Sequence, residues 1–134
     1  IRNVGDSRVY GVRSYGNFVQ LTQDHTLVSD MLRHGEITEQ EAINHPKKNV
    51  LTNALGVWSN VRVDIEHYPY HLCDILLCSD GLFGYVKHEV IENVMLTDEL
   101  TTTLKARKLL NVALKAGGYD NITIIIIELK AGDN

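Results

Sequence analysis

A nearly unbroken run of branched aliphatic residues near the end of the chain constrains the fold more than any other feature. Residues 122–127 read Ile-Thr-Ile-Ile-Ile-Ile, so every position except Thr123 is apolar. The run is far shorter than the roughly 20 residues of a membrane-spanning helix, and β-branched side chains favour strands. A strand that is apolar on both faces needs cover on both faces. We therefore predict that this segment is a central strand with packed layers on either side.

The size and composition of the chain exclude several other classes of protein. Its 134 residues are 44% hydrophobic and 22% charged, which is typical of one soluble globular domain or part of a larger one. The net charge is −4, so the chain has no basic excess for binding a nucleic-acid backbone. No apolar run is long enough to span a membrane. We therefore expect neither a nucleic-acid partner nor a membrane partner.

The cysteines and the start of the chain indicate its setting. Cys73 and Cys78 are an odd number of residues apart in one predicted strand, so they point to opposite faces and cannot bridge each other. With no secretory signal at the N-terminus, we expect a reducing, cytoplasmic location. The chain begins without Met, at a run typical of a strand, and we expect that preceding sequence is missing.

Local patterns in the first half predict a hairpin followed by two short helices. Residues 14–17, Ser-Tyr-Gly-Asn, separate two β-prone runs and favour a hairpin. Apolar residues at helical spacing before Gly35 predict one helix. Thr38 and Glu41 form the capping-box pattern that opens a second, which must end before the His45-Pro46 pair.

The second half adds strands and longer helices. Alternation over residues 61–66 predicts a half-exposed strand, and residues 72–78 a more buried one. Apolar faces at 86–95 and 104–116 predict two helices, the longer of which ends at Gly117. Because strands and helices are grouped and do not strictly alternate, the predicted fold class is α+β with an antiparallel sheet.

Three aspartates adjoin glycine or a small polar residue at the edges of predicted strands: Asp6, Asp80 and Asp120. Hard divalent cations such as Mg²⁺ and Mn²⁺ prefer carboxylate oxygens and water, and strand ends can direct short carboxylates from distant segments to one point. The same residues also suit ordinary turns, in which Asp makes local hydrogen bonds. Spacing alone leaves a shared metal site and three separate turns both open.

Five segments of the chain, taken together, resemble the metal-dependent serine/threonine protein phosphatases of the type 2C (PPM) family. Their order and rough spacing are similar to those of the bacterial branch of that family across nearly the whole chain. The segments are NVGDSRVY at 3–10, LTQDH at 21–25, VLTNALG at 50–56, LLCSDGL at 76–82 and GGYDNIT at 117–123.

The resemblance implies a fold and a place within it. The family's domain consists of two packed antiparallel sheets, so this chain is expected to form part of an antiparallel β-sandwich flanked by helices. Residues 1–134 would be the C-terminal portion of a single catalytic domain. Residues 27–48 would be its mobile flap, a short helical insertion. The upstream half of the same domain would then be a partner.

The resemblance also implies a chemistry. Members of the family hold two Mn²⁺ or Mg²⁺ ions bridged by a water, and the resulting hydroxide attacks the phosphorus of a phosphoserine or phosphothreonine without a phosphoenzyme. Asp80 and Asp120 match two ligands of these ions, and Asp6 matches the ligand of a third, weaker metal in bacterial members. The other ligands and the phosphate-binding arginine would lie upstream of Ile1. The substrates would be phosphorylated proteins, the products of a serine/threonine kinase.

Two other functions stay open at this point. A non-catalytic, regulatory phosphatase-like module would carry the same segments without the upstream ligands. A serine esterase is suggested by the Gly-Asp-Ser sequence that ends at Ser7, together with the Asp-x-x-His spacing of Asp64 and His67. The esterases with that sequence have a parallel sheet and a histidine near the C-terminus, whereas the strands here are expected to be antiparallel.

Overall fold

The structure is a computed structural model that describes residues 1–68 and 72–129, and the backbone only of residues 72 and 73. These residues belong to two compact units. The first unit comprises Ile1–Ser7 and Gln23–His67, and the second comprises Arg8–Thr22 and the chain from Tyr68 onward. No helix in the described ranges is long and apolar enough to cross a membrane.

The secondary structure follows the predicted order, with one additional short helix at Asp80–Phe83 that the sequence analysis did not predict. The strands are β1 (Arg2–Asn3), β2 (Arg8–Arg13), β3 (Phe18–Gln20), β4 (Asp64–Ile65), β5 (Leu72–Cys78) and β6 (Ile124–Glu128). The helices are α1 (Leu27–Arg33), α2 (Glu39–Ile43), α3 (Asp80–Phe83), α4 (His88–Met95) and α5 (Thr102–Lys115).

The second unit is built on a four-stranded antiparallel sheet in the order β3, β2, β5, β6. The predicted hairpin joins β2 to β3. There the N–H of Arg13 donates to the carbonyl of Asn17 at 2.8 Å, and Gly16 takes a positive φ of 85°. β5 pairs with β2 on one side and with β6 on the other. This sheet and its helices confirm the α+β class with antiparallel strands.

One face of this sheet carries the main core of the second unit. Leu76 of β5 lies opposite Ile126 of β6, and both pack with residues of α4 and α5. Burial of each large apolar side chain contributes roughly 1.5–3 kcal/mol, so the core holds the strands firmly against the helices. The largest side chains that are fully buried in this unit are Tyr10, Leu76, Leu82, Ile91, Met95 and Leu109.

The opposite face of the same sheet is also apolar. By strand register, its side chains are Val9, Val19, Ile75, Leu77, Ile125 and Ile127. Ile125 is 51% exposed and Ile127 is 43% exposed, and β6 lies at an edge because only β5 pairs with it among the described residues. The prediction of a central strand covered on both faces is therefore wrong for the described part of this chain. A strand is central only where a neighbour pairs with each of its edges.

A buried ion pair ties β5 to the helices. Nζ of Lys105 in α5 donates to Oδ2 of Asp74 in β5 and to the carbonyl of Met95 at the end of α4, both at 2.8 Å. Both charged residues are buried. Lys105 thereby links α5 to both β5 and α4. Removing either charged partner would leave the other buried without a partner, which is strongly destabilising.

The first unit contains α1 and α2, the two short helices of the expected flap. Thr26 caps α1, because its hydroxyl accepts a hydrogen bond from the N–H of Ser29 at 3.2 Å. The capping box at α2 is complete: Thr38 Oγ1 accepts from the N–H of Glu41, and the Glu41 carboxylate accepts from the N–H of Thr38 at 2.7 Å. That backbone hydrogen bond lowers the pKa of Glu41. The second helix therefore begins where the sequence predicts, and the first lies before Gly35 as expected.

The strand predicted over 61–66 is shorter than expected, and its burial is reversed. Asp64 and Ile65 alone form β4, which pairs antiparallel with β1. Val63 and Ile65 are exposed, whereas Asp64 accepts a hydrogen bond from the buried His25, with 2.8 Å between Oδ2 and Nε2. A buried imidazole N–H needs an acceptor, and this requirement outweighs the burial of the two apolar side chains. The prediction of an inward apolar face is wrong here.

This hydrogen bond alters the ionisation of Asp64. The hydrogen bond from His25 lowers the pKa of Asp64 more than burial raises it. Arg62, whose Nε lies 3.0 Å from Oδ1 of Asp64, adds to the lowering. The carboxylate is thus held ionised between a buried imidazole and an exposed guanidinium.

The lowered pKa predicts a pH-dependent contribution of Asp64 to stability. A carboxyl whose pKa is lower in the folded than in the unfolded chain stabilises the fold above the unfolded value, and the contribution disappears as the pH falls through the folded value. We expect Asp64→Asn to be less stable than the wild type near neutral pH, with the difference shrinking as the pH falls below 3.8. Urea unfolding of both proteins across this range measures the difference. A constant difference would contradict the prediction.

Candidate metal centre

Asp80 lies at a rigid junction between a strand and a helix in the second unit. β5 ends at Cys78, and Ser79 adopts the extended conformation of an N-cap residue before α3. Asp80 is therefore the first helical residue, and its side chain is half-buried. Gly81 and Leu82, which follow it, are buried in the same unit. The core thus fixes the backbone that carries this carboxylate.

Asp120 lies in the loop that follows α5. Gly117 and Gly118 both take positive φ values, 126° and 57°, and their N–H groups donate to carbonyls of the last helical turns. The Gly-Gly pair therefore ends the helix as the sequence predicts and turns the chain back toward β6. Asp120 is exposed, and its Oδ1 accepts a hydrogen bond from the N–H of Asn121 at 2.7 Å.

Three hydrogen bonds hold these two segments side by side. The hydroxyl of Ser79 donates to the carbonyl of Asn121 and accepts from the N–H of Thr123, both at 3.0 Å. The N–H of Ser79 donates to the carbonyl of Thr123 at 3.1 Å. At Gly81 the approach is closer still, because a Cβ atom there would lie 2.1 Å from the carbonyl oxygen of Asn121. The structure thus brings the Asp80 and Asp120 segments together at one end of β5 and β6.

The residues at this end of the sheet fit a hard divalent cation in their chemistry. They supply two carboxylates on adjacent segments with glycine beside one of them, and Mg²⁺ and Mn²⁺ prefer such oxygen ligands together with water. Within residues 1–68 and 72–129, however, no three His, Cys, Asp or Glu residues form a group that could hold a metal ion. The assignment of Asp80 and Asp120 as metal ligands stays a prediction.

Asp6 belongs to the first unit, whereas Asp80 and Asp120 belong to the second. It is half-buried and follows Gly5, which is buried and takes a positive φ of 102° in the turn between β1 and β2. The backbone bends at Gly5 and Asp6, and local turn hydrogen bonds of the Asp6 side chain stay a prediction. Its assignment as a ligand stays a prediction.

His25 is a buried residue of the first unit whose contacts the sequence does not reveal. Its Nδ1 accepts hydrogen bonds from the N–H of Gly5 at 3.1 Å and from Nδ2 of Asn53 at 2.8 Å. The available signal was its position: His25 ends the LTQDH segment, and Asn53 lies within VLTNALG.

The contacts of Asp64 argue against the esterase interpretation. That interpretation needs Asp64 to orient His67 as a base. Instead, the carboxylate of Asp64 contacts His25 and Arg62. The sheets are also antiparallel, unlike the parallel sheet of those esterases. The esterase arrangement is therefore not formed by the pair that suggested it.

The close approach at Gly81 predicts the sign of a mutational effect. Alanine is a better helix former than glycine by roughly 1 kcal/mol, so propensity alone would make Gly81→Ala stabilising. The contact with the Asn121 carbonyl predicts the reverse, a loss of about 1–3 kcal/mol from overpacking. Urea unfolding gives the sign, and hydrogen exchange at the Thr123 amide reports whether its bond to Ser79 is loosened. A stabilised variant with slow exchange at Thr123 would overturn this account.

Comparisons with known proteins point in one direction. No protein-family model matches the sequence. The chain is 44% identical over 129 residues to the serine/threonine phosphatase stp of Listeria monocytogenes, covering 96% of this chain and 50% of that protein. It is 33% identical over 132 residues to a putative 2C-type protein phosphatase of Streptococcus pyogenes, covering 98% of this chain and 53% of that one. The chain thus spans about half the length of the curated relatives it matches.

Solved structures agree with the sequence comparison. The crystal structure of serine/threonine phosphatase Stp1 from Staphylococcus aureus matches with a TM-score of 0.88 at 34% identity, covering 97% of this chain and 51% of that one. The catalytic domain of serine threonine protein phosphatase PstP, in complex with 2 manganese ions, matches with a TM-score of 0.73 at 31% identity, covering 93% and 50%. By sequence and by fold, nearly the whole chain is therefore similar to about half of the bacterial serine/threonine phosphatases of the 2C type.

Proposed function

We propose that the protein containing this chain hydrolyses phosphoserine and phosphothreonine in proteins, and that this chain supplies part of a dinuclear Mn²⁺ or Mg²⁺ site. The observation that carries the proposal is the hydrogen bonding of Ser79, which places the Asp80 and Asp120 segments side by side at the end of β5. Similarity to the bacterial serine/threonine phosphatases and the two manganese ions of the PstP structure support it.

Each aspartate has a distinct role in the proposal. Asp80 and Asp120 would hold the central ions, and Asp6 would hold a third, weaker one. When bound, divalent ions would lower the pKa of water toward neutrality and neutralise charge on the phosphoryl oxygens. The chain's own contribution is orientation. Gly81 allows close approach of the loop, and the buried residues of α3 keep the Asp80 backbone rigid.

We further propose that residues 1–134 are the C-terminal portion of a single catalytic domain with its flap at 27–48, and that the upstream half is their partner. Two observations support this partner. The chain spans about half the length of its relatives. Among the described residues only β5 pairs with β6, and Ile125 and Ile127 are exposed on an apolar face of this sheet. An exposed apolar face at the edge of a sheet favours association.

The substrate and setting follow from the family resemblance. The proposed substrates are phosphorylated proteins, made by a serine/threonine kinase. The proposed location is reducing and cytoplasmic. A non-catalytic, regulatory module is the second candidate, and the incomplete ligand set within the described residues favours it over an enzyme confined to this chain.

The metal ligands are tested by charge-neutral substitutions in the intact protein. We expect Asp80→Asn and Asp120→Asn each to reduce Mn²⁺-dependent hydrolysis of a phosphopeptide by at least about 100-fold, because each removes an anionic ligand from a shared site. Asp98→Asn is the control, since Asp98 is exposed and lies in the same unit away from β5's C-terminal end. Calorimetry should show weaker Mn²⁺ binding in the two ligand variants alone.

The outcomes separate the two candidates. Near-normal turnover in both ligand variants would refute the assigned roles. Absence of phosphatase activity in the intact wild-type protein, with Mn²⁺ present, would favour the regulatory module.

Placing a charged residue on the apolar face tests whether the upstream half covers it. If the upstream half covers this face, Ile125→Glu should destabilise the intact protein by at least about 2 kcal/mol, because a carboxylate would be buried without a partner. Leu104→Glu is the matched control: Leu104 is 48% exposed, close to the 51% of Ile125, but it lies on α5. Urea unfolding compares the two. Equal, small effects would show that the face stays open to solvent.

A further inference from the structure

We infer that His25 is a positioning residue for the Asp6 carboxylate, acting through the backbone of Gly5. The inference rests on the proposed function, in which Asp6 holds the weakest metal ion. All of the residues involved belong to the first unit.

His25 forms hydrogen bonds with both backbone polar groups of Gly5, its N–H and its carbonyl. Its Nδ1 accepts a hydrogen bond from the N–H of Gly5 at 3.1 Å, and its own N–H donates to the carbonyl of Gly5 at 3.0 Å. Gly5 is buried and takes a φ of 102°, in the region that favours glycine. One residue thus fixes both polar groups of the glycine at which the chain turns.

The imidazole that makes these contacts is itself fully constrained. Nδ1 faces two N–H donors, from Gly5 and Asn53, so it carries no proton, and the ring proton lies on Nε2. That proton is donated to Oδ2 of Asp64 at 2.8 Å. The side chain of His25 is 0% exposed, so water cannot replace a lost contact. The tautomer and the ring orientation are therefore fixed together.

The contacts continue to the surface. Oδ1 of Asp64 accepts from Nε of Arg62 at 3.0 Å, and Asn53 is held by the backbone of Arg62, with 2.7 Å from Nδ2 to the carbonyl oxygen and 3.1 Å from the Arg62 nitrogen to Oδ1. These residues form a closed set of hydrogen bonds around the imidazole. Such fully satisfied buried networks rigidify what they contact.

This rigidity matters for Asp6 because an aspartate side chain is short. Its carboxylate has little reach of its own, so the preceding turn decides where the oxygens lie. Residues that hold a metal ligand in its orientation without touching the metal matter for binding. Removing such a residue typically weakens metal affinity by about 10–100-fold. His25 is placed to act in this way on the weakest site, where the loss of one oriented ligand has the largest effect.

Two substitutions at position 25 test the contact of Nδ1 with Gly5 and the contact of Nε2 with Asp64 separately. Asn at position 25 can place its amide oxygen where Nδ1 accepts from Gly5, but it is too short to reach Asp64. Gln can place its amide nitrogen where Nε2 donates to Asp64, but it offers no acceptor to Gly5. Both side chains are uncharged and polar, so they differ mainly in which contact they keep.

The test uses the intact protein and Mn²⁺ as the probe, with two readouts besides activity. Hydrogen exchange at the Gly5 amide in metal-free protein should accelerate in His25→Gln and stay close to wild type in His25→Asn. Calorimetry should show the weakest Mn²⁺ site about 10–100-fold weaker in His25→Gln, with the central pair unchanged and His25→Asn nearer to wild type. Equal losses in both variants would overturn the inference, because they would reflect general destabilisation.

Two further variants keep the result interpretable. Asp64→Ala removes the acceptor of the Nε2 proton but leaves both hydrogen bonds between His25 and Gly5, so it tests the inference even if the His25 variants do not fold. Like His25→Asn, it should keep Gly5 amide exchange and the weakest Mn²⁺ affinity near wild type. Weakening of that site in Asp64→Ala with unchanged exchange at the Gly5 amide would count against the inference. Asp6→Asn tests the proposed function separately. If it leaves every Mn²⁺ affinity unchanged, Asp6 is not a ligand. If it weakens one site and His25→Gln does not, the positioning role alone is wrong.

Discussion

The pairing of β5 with strands on both of its sides is the constraint on which the second unit depends. β5 is held by β2 and β6 through its backbone and by the buried Asp74 to Lys105 ion pair near its start. Its alternate side chains, Leu76 among them, enter the helical core. Because β5 is fixed by pairing on both edges, by an ion pair and by core packing, the residue that follows its last position has little conformational freedom. That residue is Ser79, and its hydrogen bonds join the two segments that carry Asp80 and Asp120.

The two units fix the backbone next to an aspartate by different contacts. In the second unit a strand end and a hydroxyl fix the backbone around Asp80, and the approach of the neighbouring loop is so close that only glycine fits at position 81. In the first unit a buried imidazole fixes the turn before Asp6 by binding both polar groups of Gly5. In each case the contacts that fix the backbone are made by a residue other than the aspartate itself.

Sequence reasoning located the elements better than it located their burial. The capping box of Thr38 and the Gly117 stop signal are local, because each depends on residues within one turn, and both are confirmed. Asp80 and Asp120 were selected because of the family resemblance and its ordered segments. Two burial predictions failed. Ile125 is exposed because it lies on the sheet face opposite the helical core, and Val63 faces outward because Asp64 beside it must face His25.

The sequence by itself therefore determined the order of the main strands and helices and the antiparallel α+β class, since these depend on local pattern and on residues that can be read in order. The tertiary structure alone decided which polar groups meet. Nothing in the spacing of His25, Asn53 and Asp64 reveals that they surround one buried ring, because hydrogen bonds between residues 28 or 39 positions apart form only after the chain has folded. Burial makes those bonds obligatory, and so a polar network inside the first unit, absent from any linear motif, sets the turn that carries Asp6.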